Sequence, residues 1–147
     1  MCSSGGHLLQ LHALRPAWEE FSRAWVTFDR SDSRSLLAAE RVVHAHGPTN
    51  RNALNLLRNL LLAVRVIVRV RPRVILTTGA GVAVPFAWVG RLFGAKVVYV
   101  ESATRIESPS LSLRLVRPIA STVYVQWPEL QQALPSARYR GSVLDPS

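Results

Sequence analysis

Arg73-Val74-Ile75-Leu76-Thr77-Thr78-Gly79-Ala80-Gly81 is a β-branched run that breaks into a loop of small residues, and the apolar stretch Val82–Phe93 behind it stops at Gly94. Lys96-Val97-Val98-Tyr99-Val100-Glu101 then repeats the opening half of that pattern. A strand, a Gly-rich turn, a helix and a second strand form one βαβ unit, whose strands run parallel. Both strands are near-continuous apolar runs, the pattern of a sheet covered on its two faces.

The same alternation extends in both directions. Upstream, Arg23–Asp29 and Arg41–His44 read as strands, separated by a short helix over Ser33–Glu40 with Asp32 as its N-cap. Loop 46–50 leads to a long helix over Ala53–Val70, closed by Pro72. Downstream, Ser110–Val116 reads as a helix, Thr122–Gln126 as a strand, Pro128–Leu134 as a helix with Pro in its first turn, and Ala137–Val143 as an edge strand. Strands alternating with helices make an α/β domain with a Rossmann-like parallel sheet flanked by helices. The chain of 147 residues suits a single domain. Only Met1-Cys2 precede the first Gly-rich turn, where a feeding strand is expected, so the first strand is read as largely missing.

Composition narrows the function classes. With 48% apolar residues the chain can bury a core, which excludes intrinsic disorder. One cysteine excludes an internal disulfide and any multi-cysteine metal site. No basic n-region and apolar h-region stand at the start, and three arginines interrupt the longest apolar stretch, Leu54–Val70, against a spanning helix. The formal net charge of +9 points to anionic company: nucleic acid, a membrane surface or phosphorylated ligands. No RNP-like aromatic motif or recognition helix supports nucleic acid.

In an open α/β sheet, ligands bind beyond the carboxyl ends of the strands, which directs attention to three loops. Ser3-Ser4-Gly5-Gly6-His7 precedes an apolar helical pattern and makes a helix N-terminus suited to an anion; His7 at its positive end can serve as a base or an orienting donor. A plain serine cap is the rival reading. Thr78, Gly79 and Gly81 form a phosphate-cradling turn, and Glu101 follows Gly79 at the spacing of a ribose-binding acid. The third small position is filled by Val84-Pro85, so the dinucleotide fingerprint is broken and a nicotinamide-dependent oxidoreductase is the weaker reading. Glu101 to Ser108 places a carboxylate at a strand end, able to accept sugar hydroxyls or act as a base, with Arg105 suited to a phosphate. A local Glu–Arg ion pair is the alternative.

Arg51, Arg58, Arg65 and Arg69 fall in one stripe of the long helix, beside a broad apolar arc. That stripe suits an anionic membrane surface or a partner, against the plainer reading of a solvated helix face.

Taken together, Cys2-Ser3-Ser4-Gly5-Gly6-His7-Leu8, Val26-Thr27-Phe28-Asp29, Thr78-Gly79-Ala80-Gly81 with Pro85, Val100-Glu101-Ser102 and Val125-Gln126-Trp127 resemble the acceptor-side subunits of two-part GT-B glycosyltransferases. That family includes PssD-type exopolysaccharide and capsule proteins and the tethering subunit of the dolichol-linked UDP-N-acetylglucosamine transferase; the N-terminal half of MurG is a more distant likeness. The resemblance implies that residues 1–147 form one GT-B N-terminal-type, acceptor-binding domain. It implies a hexosyltransferase subunit that inverts configuration, needs no bound metal or other cofactor, and is active only with a donor-binding partner. The donor would be a UDP-sugar of the UDP-N-acetylglucosamine kind. The acceptor would be a lipid-pyrophosphate-linked saccharide of bacterial polysaccharide or glycolipid biosynthesis, met at the cytoplasmic face of the membrane by a peripheral protein. His7 and Glu101 would orient or deprotonate the acceptor hydroxyl, and Ser3–His7 with Thr78–Gly81 would line its cleft. A non-catalytic recruitment scaffold for the donor-binding subunit is the alternative within the same family.

Overall fold

The β-branched runs do become strands. The computed structural model describes residues 1–49 and 52–144. It places β1 at Trp25–Phe28, β2 at Val42–Ala45, β3 at Val74–Thr77, β4 at Lys96–Val100 and β5 at Thr122–Val125. The expected edge strand over 137–143 is reduced to β6, Arg138–Tyr139. The helices are α1 (Gly6–Ala13), α2 (Ser31–Leu36), α3 (Ala53–Val70), α4 (Ala83–Leu92), α5 (Leu111–Val116) and α6 (Pro128–Ala133).

All pairings are parallel: β1 with β2, and β3-β4-β5-β6 as a second ladder. Met1 and Cys2 fill the place between the ladders. The Cys2 N–H donates to the Val26 carbonyl in β1 at 3.1 Å, and the Met1 amino group donates to the Leu76 carbonyl in β3 at 2.6 Å. These two residues therefore occupy the position expected for a first strand, and join the ladders into one surface. Its two faces are buried separately, as the period of two along a strand requires. Trp25, Val42 and Leu76 pack with Cys2, Leu8, Leu11 and Leu37 under α1 and α2. Val26, Val43 and Ile75 face the larger core built by α3, α4, α5 and α6. Gly90 of α4 lies so close to β3 that a Cβ there would meet Ile75 Cδ1, so the absence of a side chain sets the helix–sheet distance.

Two helices depart from their sequence patterns. α2 runs over Ser31–Leu36 instead of 33–40, and Asp32 is not its cap. Arg30 stands at the N-cap position, and Ser33 Oγ accepts from the Arg30 N–H at 3.1 Å. Asp32 is drawn instead across the fold, where its carboxylate accepts from the Gly5 N–H at 2.6 Å. α3 has the expected bounds, and its broad apolar arc turns outward rather than onto the sheet. Its buried stripe is Asn55, Asn59, Ala63 and Ile67, while Leu54, Leu57, Leu61, Val64 and Val68 are exposed. Asn59 accounts for part of this inversion. Its amide donates to the His46 carbonyl at 2.9 Å and accepts from the His46 N–H at 2.8 Å, satisfying backbone that a leucine would leave orphaned.

Tyr99 closes the core beneath the second loop. It is fully buried, its hydroxyl lies 3.3 Å from Ser110 Oγ, and a Cβ on Gly79 (φ +101°) would collide with that hydroxyl. Burial first, and the nearby Glu101 carboxylate second, push the Tyr99 phenol from 10.0 up to about 12. A folded value above the unfolded one contributes stability that is fully present below pH 10 and is lost as pH rises through about 12. In an alkaline titration followed by phenolate absorbance, Tyr99 should be missing from the first wave and ionise only with unfolding. Tyr99→Phe should flatten the fall of stability across that window; an unchanged fall would place the titration elsewhere.

Candidate functional site

The loops at the carboxyl ends of the strands surround one open cleft of about 1320 Å³. Ser3, Ser4, His7, Gly81, Glu101 and Arg105 from the three sequence-selected loops all reach its wall. Gly5, Gly6, Thr78 and Gly79 do not line it; they shape the turns behind. Arg30, Thr49 and Asn52 join the wall from segments that sequence reading left aside.

His7 is fixed by a reciprocal clamp. Its Nδ1 lies 2.7 Å from the Thr78 carbonyl, and Thr78 Oγ1 donates to the His7 carbonyl at 2.7 Å. A carbonyl only accepts, so Nδ1 carries the hydrogen and Nε2 is the ring nitrogen left to accept when the imidazole is uncharged. The Gly79 N–H donates to Thr77 Oγ1 at 2.9 Å, and Ala80 takes a positive φ of 72°. The second loop thus turns through two left-handed residues, which brings the small backbone of Gly81 to the cleft.

At the first loop, the helix N-terminus expected to receive an anion already holds one: the Asp32 carboxylate on the Gly5 N–H. Charge attraction at the start of α1 is in part satisfied within the chain.

Glu101 is fully buried. Its Oε1 accepts from the Ser102 N–H at 2.9 Å, and its Oε2 accepts from both the N–H and the hydroxyl of Ser110 at 2.8 Å. One carboxylate therefore ties both ends of the 102–110 loop to the end of β4. The geometry gives this side chain a positioning task, with three of its acceptor sites taken up inside the loop. The alternative, a local Glu–Arg pair, does not form: among the described residues no ion pair joins Arg105 to a carboxylate, and its guanidinium stands exposed at the cleft.

A buried amide web supports this loop. Gln10 Oε1 accepts from the Ala103 N–H at 2.9 Å and from Gln126 Nε2 at 2.8 Å, while Gln126 Nε2 also donates to the Glu101 carbonyl at 2.9 Å. Trp127 Nε1 donates to the Ala103 carbonyl at 2.6 Å. Sequence reading missed Gln10 and the site roles of Ser110 and Asp32. Gln10 had a signal, as a polar residue inside the apolar pattern of α1. Ser110 had one as a serine directly before an apolar helix, where its hydroxyl accepts from the Leu113 N–H at 3.1 Å.

Away from the cleft floor, Arg58, Arg65 and Arg69 are exposed on α3. At about 100° per residue they form a row beside the outward Leu54, Leu57, Leu61, Val64 and Val68. Arg51, expected in the same row, lies outside the described residues. Among the described residues no helix is long and apolar enough to cross a membrane.

Comparison with known proteins places the chain. Residues 1–143 match the family model described as "Oligosaccharide biosynthesis protein Alg14 like". The UDP-N-acetylglucosamine transferase subunit ALG14 of Mus musculus is 33% identical over 85 residues, covering 54% of this chain and 39% of that protein. Its Homo sapiens counterpart is 32% identical over 94 residues, covering 60% and 44%. The Candida albicans subunit aligns at 25% identity across 98% of this chain and 76% of its own length. The chain thus spans about two fifths of the mammalian relatives it matches. Among solved structures, MurG of Acinetobacter baumannii superposes with a TM-score of 0.76 at 16% identity, covering 100% of this chain and 46% of that one. UDP-N-acetylglucosamine 2-epimerase of Rickettsia bellii superposes with a TM-score of 0.74 at 10% identity, covering 97% and 44%. These likenesses establish a GT-B half-fold, and the family match establishes that the chain belongs to the Alg14-like family of oligosaccharide biosynthesis proteins.

Proposed function

We propose that this chain is the acceptor-binding subunit of a two-part, inverting glycosyltransferase, working with a separate subunit that binds a UDP-sugar of the UDP-N-acetylglucosamine kind. The observation that carries the reading is the His7–Thr78 clamp at the wall of the cleft, which leaves a ring nitrogen free to accept a proton. The relatives' printed names, UDP-N-acetylglucosamine transferase subunit, agree with this reaction class.

The residues then divide the work. Arg105 and Arg30 supply cationic donors for the pyrophosphate of a lipid-linked saccharide. Ser3, Ser4 and the backbone around Gly81 meet its polar oxygens. An acceptor hydroxyl placed on His7 Nε2 gives up its proton there as its oxygen attacks the anomeric carbon of the donor sugar. The bond from that carbon to UDP breaks, UDP leaves with the electron pair, and configuration inverts. Glu101 acts as a positioning residue that holds the loop carrying Arg105. His7→Ala leaves the Thr78 carbonyl without its ring partner and should cost about 1–3 kcal/mol of stability, and it should lower turnover by about 10²–10⁴-fold in the reconstituted complex. Glu101→Ala orphans buried donors and should cost about 1–3 kcal/mol of stability or more. Full turnover by a folded His7→Ala complex would leave only the recruitment-scaffold reading.

The outward face of α3 gives this subunit its place: an anionic membrane surface at which the lipid-linked acceptor is met. The exposed leucines enter the interface while Arg58, Arg65 and Arg69 face the headgroups. Each such arginine contributes about 1 kcal/mol near an anionic surface. The triple substitution to alanine should therefore weaken sedimentation with phosphatidylglycerol vesicles by roughly a hundredfold at low salt. Unchanged vesicle binding would remove this assignment.

A further inference from the structure

The cleft has two unlike walls. One carries Ser3, Ser4, His7, Thr104 and Arg105; the other carries Ala53 and Leu56 of α3, Val84 of α4, and Leu111 and Leu115 of α5. The apolar wall is open to solvent, with Leu56, Leu111 and Leu115 at 51%, 70% and 47% exposure. α3 and α4 each continue the apolar surface one turn beyond the cleft, Leu56 to Leu60 and Val84 to Trp88, and α5 carries it along the wall from Leu111 to Leu115. Leu60 and Trp88 are exposed as well, and Trp88 Nε1 donates to the Leu115 carbonyl at 3.0 Å, fastening α4 to α5 along this track. Contiguous exposed apolar surface of this kind marks a binding site.

We infer that the track formed by Leu56, Leu60, Val84, Trp88, Leu111 and Leu115 is a hydrocarbon-binding groove, and that it holds the first stretch of the apolar tail of the lipid whose pyrophosphate lies against Arg105. The assignment rests on the acceptor reading above and adds a site to it. A single ligand touching both walls must be amphipathic, with an anionic head for Arg105 and Arg30 and an apolar tail for the leucines. Charge complementarity also gives the direction. The track leaves the cleft along α3, whose outward leucines are flanked by Arg58, Arg65 and Arg69, so the tail runs toward the lipid-facing side of the molecule. The groove would thereby discriminate acceptors by their lipid as well as by their phosphate.

The test compares binding of farnesyl diphosphate and of inorganic pyrophosphate to the chain by titration calorimetry. It is repeated on Leu111→Ser with Leu115→Ser, and on Leu56→Ser alone, all at exposed positions. Farnesyl diphosphate should bind at least about tenfold more tightly than pyrophosphate. The serine variants should lose that gain while keeping pyrophosphate affinity. Equal affinity for the two probes in the unsubstituted chain overturns the groove. A gain that survives the substitutions overturns it too, and loss of self-association in those variants would then give the wall to a second copy of the chain. If farnesyl diphosphate binds, the variants lose it, and pyrophosphate does not bind at all, the groove stands and the pyrophosphate contact of the proposed function falls.

Discussion

A carboxylate removed from water must find compensating donors, and Glu101 finds three within hydrogen-bond reach. Much of the cleft depends on that requirement. The Ser102 and Ser110 donors come from opposite ends of one loop, so the carboxylate closes the loop as a latch would. Closing it brings Arg105 to the cleft, seats Ser110 at the start of α5, and places Ser110 Oγ beside Tyr99. Tyr99 in turn packs against the side-chain-free surface of Gly79, which carries the chain from Thr78 to the cleft. The same local order reaches His7, because Thr78 clamps it.

Polar groups with obligatory partners organise the rest of the site as well. Asn59 gives both its amide functions to one residue of the 46–49 loop, Gln10 gives its own to Ser102 and Ala103, and Gln126 donates to the Glu101 carbonyl while accepting from the Val143 N–H. Each of these amides is buried and each holds backbone that has no ladder to pair with. The cleft is thus built on satisfied backbone, and side chains left over at its wall, His7, Arg30 and Arg105 among them, keep capacity for a ligand.

The strands were legible because β-branched runs covered on both faces have few other places to go, and Lys96–Val100 and Val74–Thr77 lie within one residue of their expected bounds. The three loops were legible because glycine, serine and charge at a strand's carboxyl end are costly unless used. What sequence pattern misjudged was sidedness and partnership. The leucines of α3 look like a core face, yet the helix buries Asn55, Asn59, Ala63 and Ile67; periodicity reports that a helix has an apolar side and is silent about which side the fold covers. Asp32 looks like a cap for its own helix and serves another, since hydrogen bonds across 27 positions leave no local signature. Glu101 looks like a reactive acid because its partners, Ser102 and Ser110, are ordinary residues that become donors only when the loop is closed.

We place one site for a phosphorylated saccharide acceptor at Ser3–His7, Thr78–Gly81 and the loop after Glu101. Backbone amide NMR of the isotopically labelled chain, titrated with a short-chain prenyl-pyrophosphate saccharide and separately with UDP, tests it most directly. The amides of Ser4, His7, Gly81, Thr104 and Arg105 should shift together with the acceptor at one common affinity and hold still with UDP. Shifts of those amides with UDP, or acceptor-induced shifts confined to the β6 edge of the sheet, would contradict it.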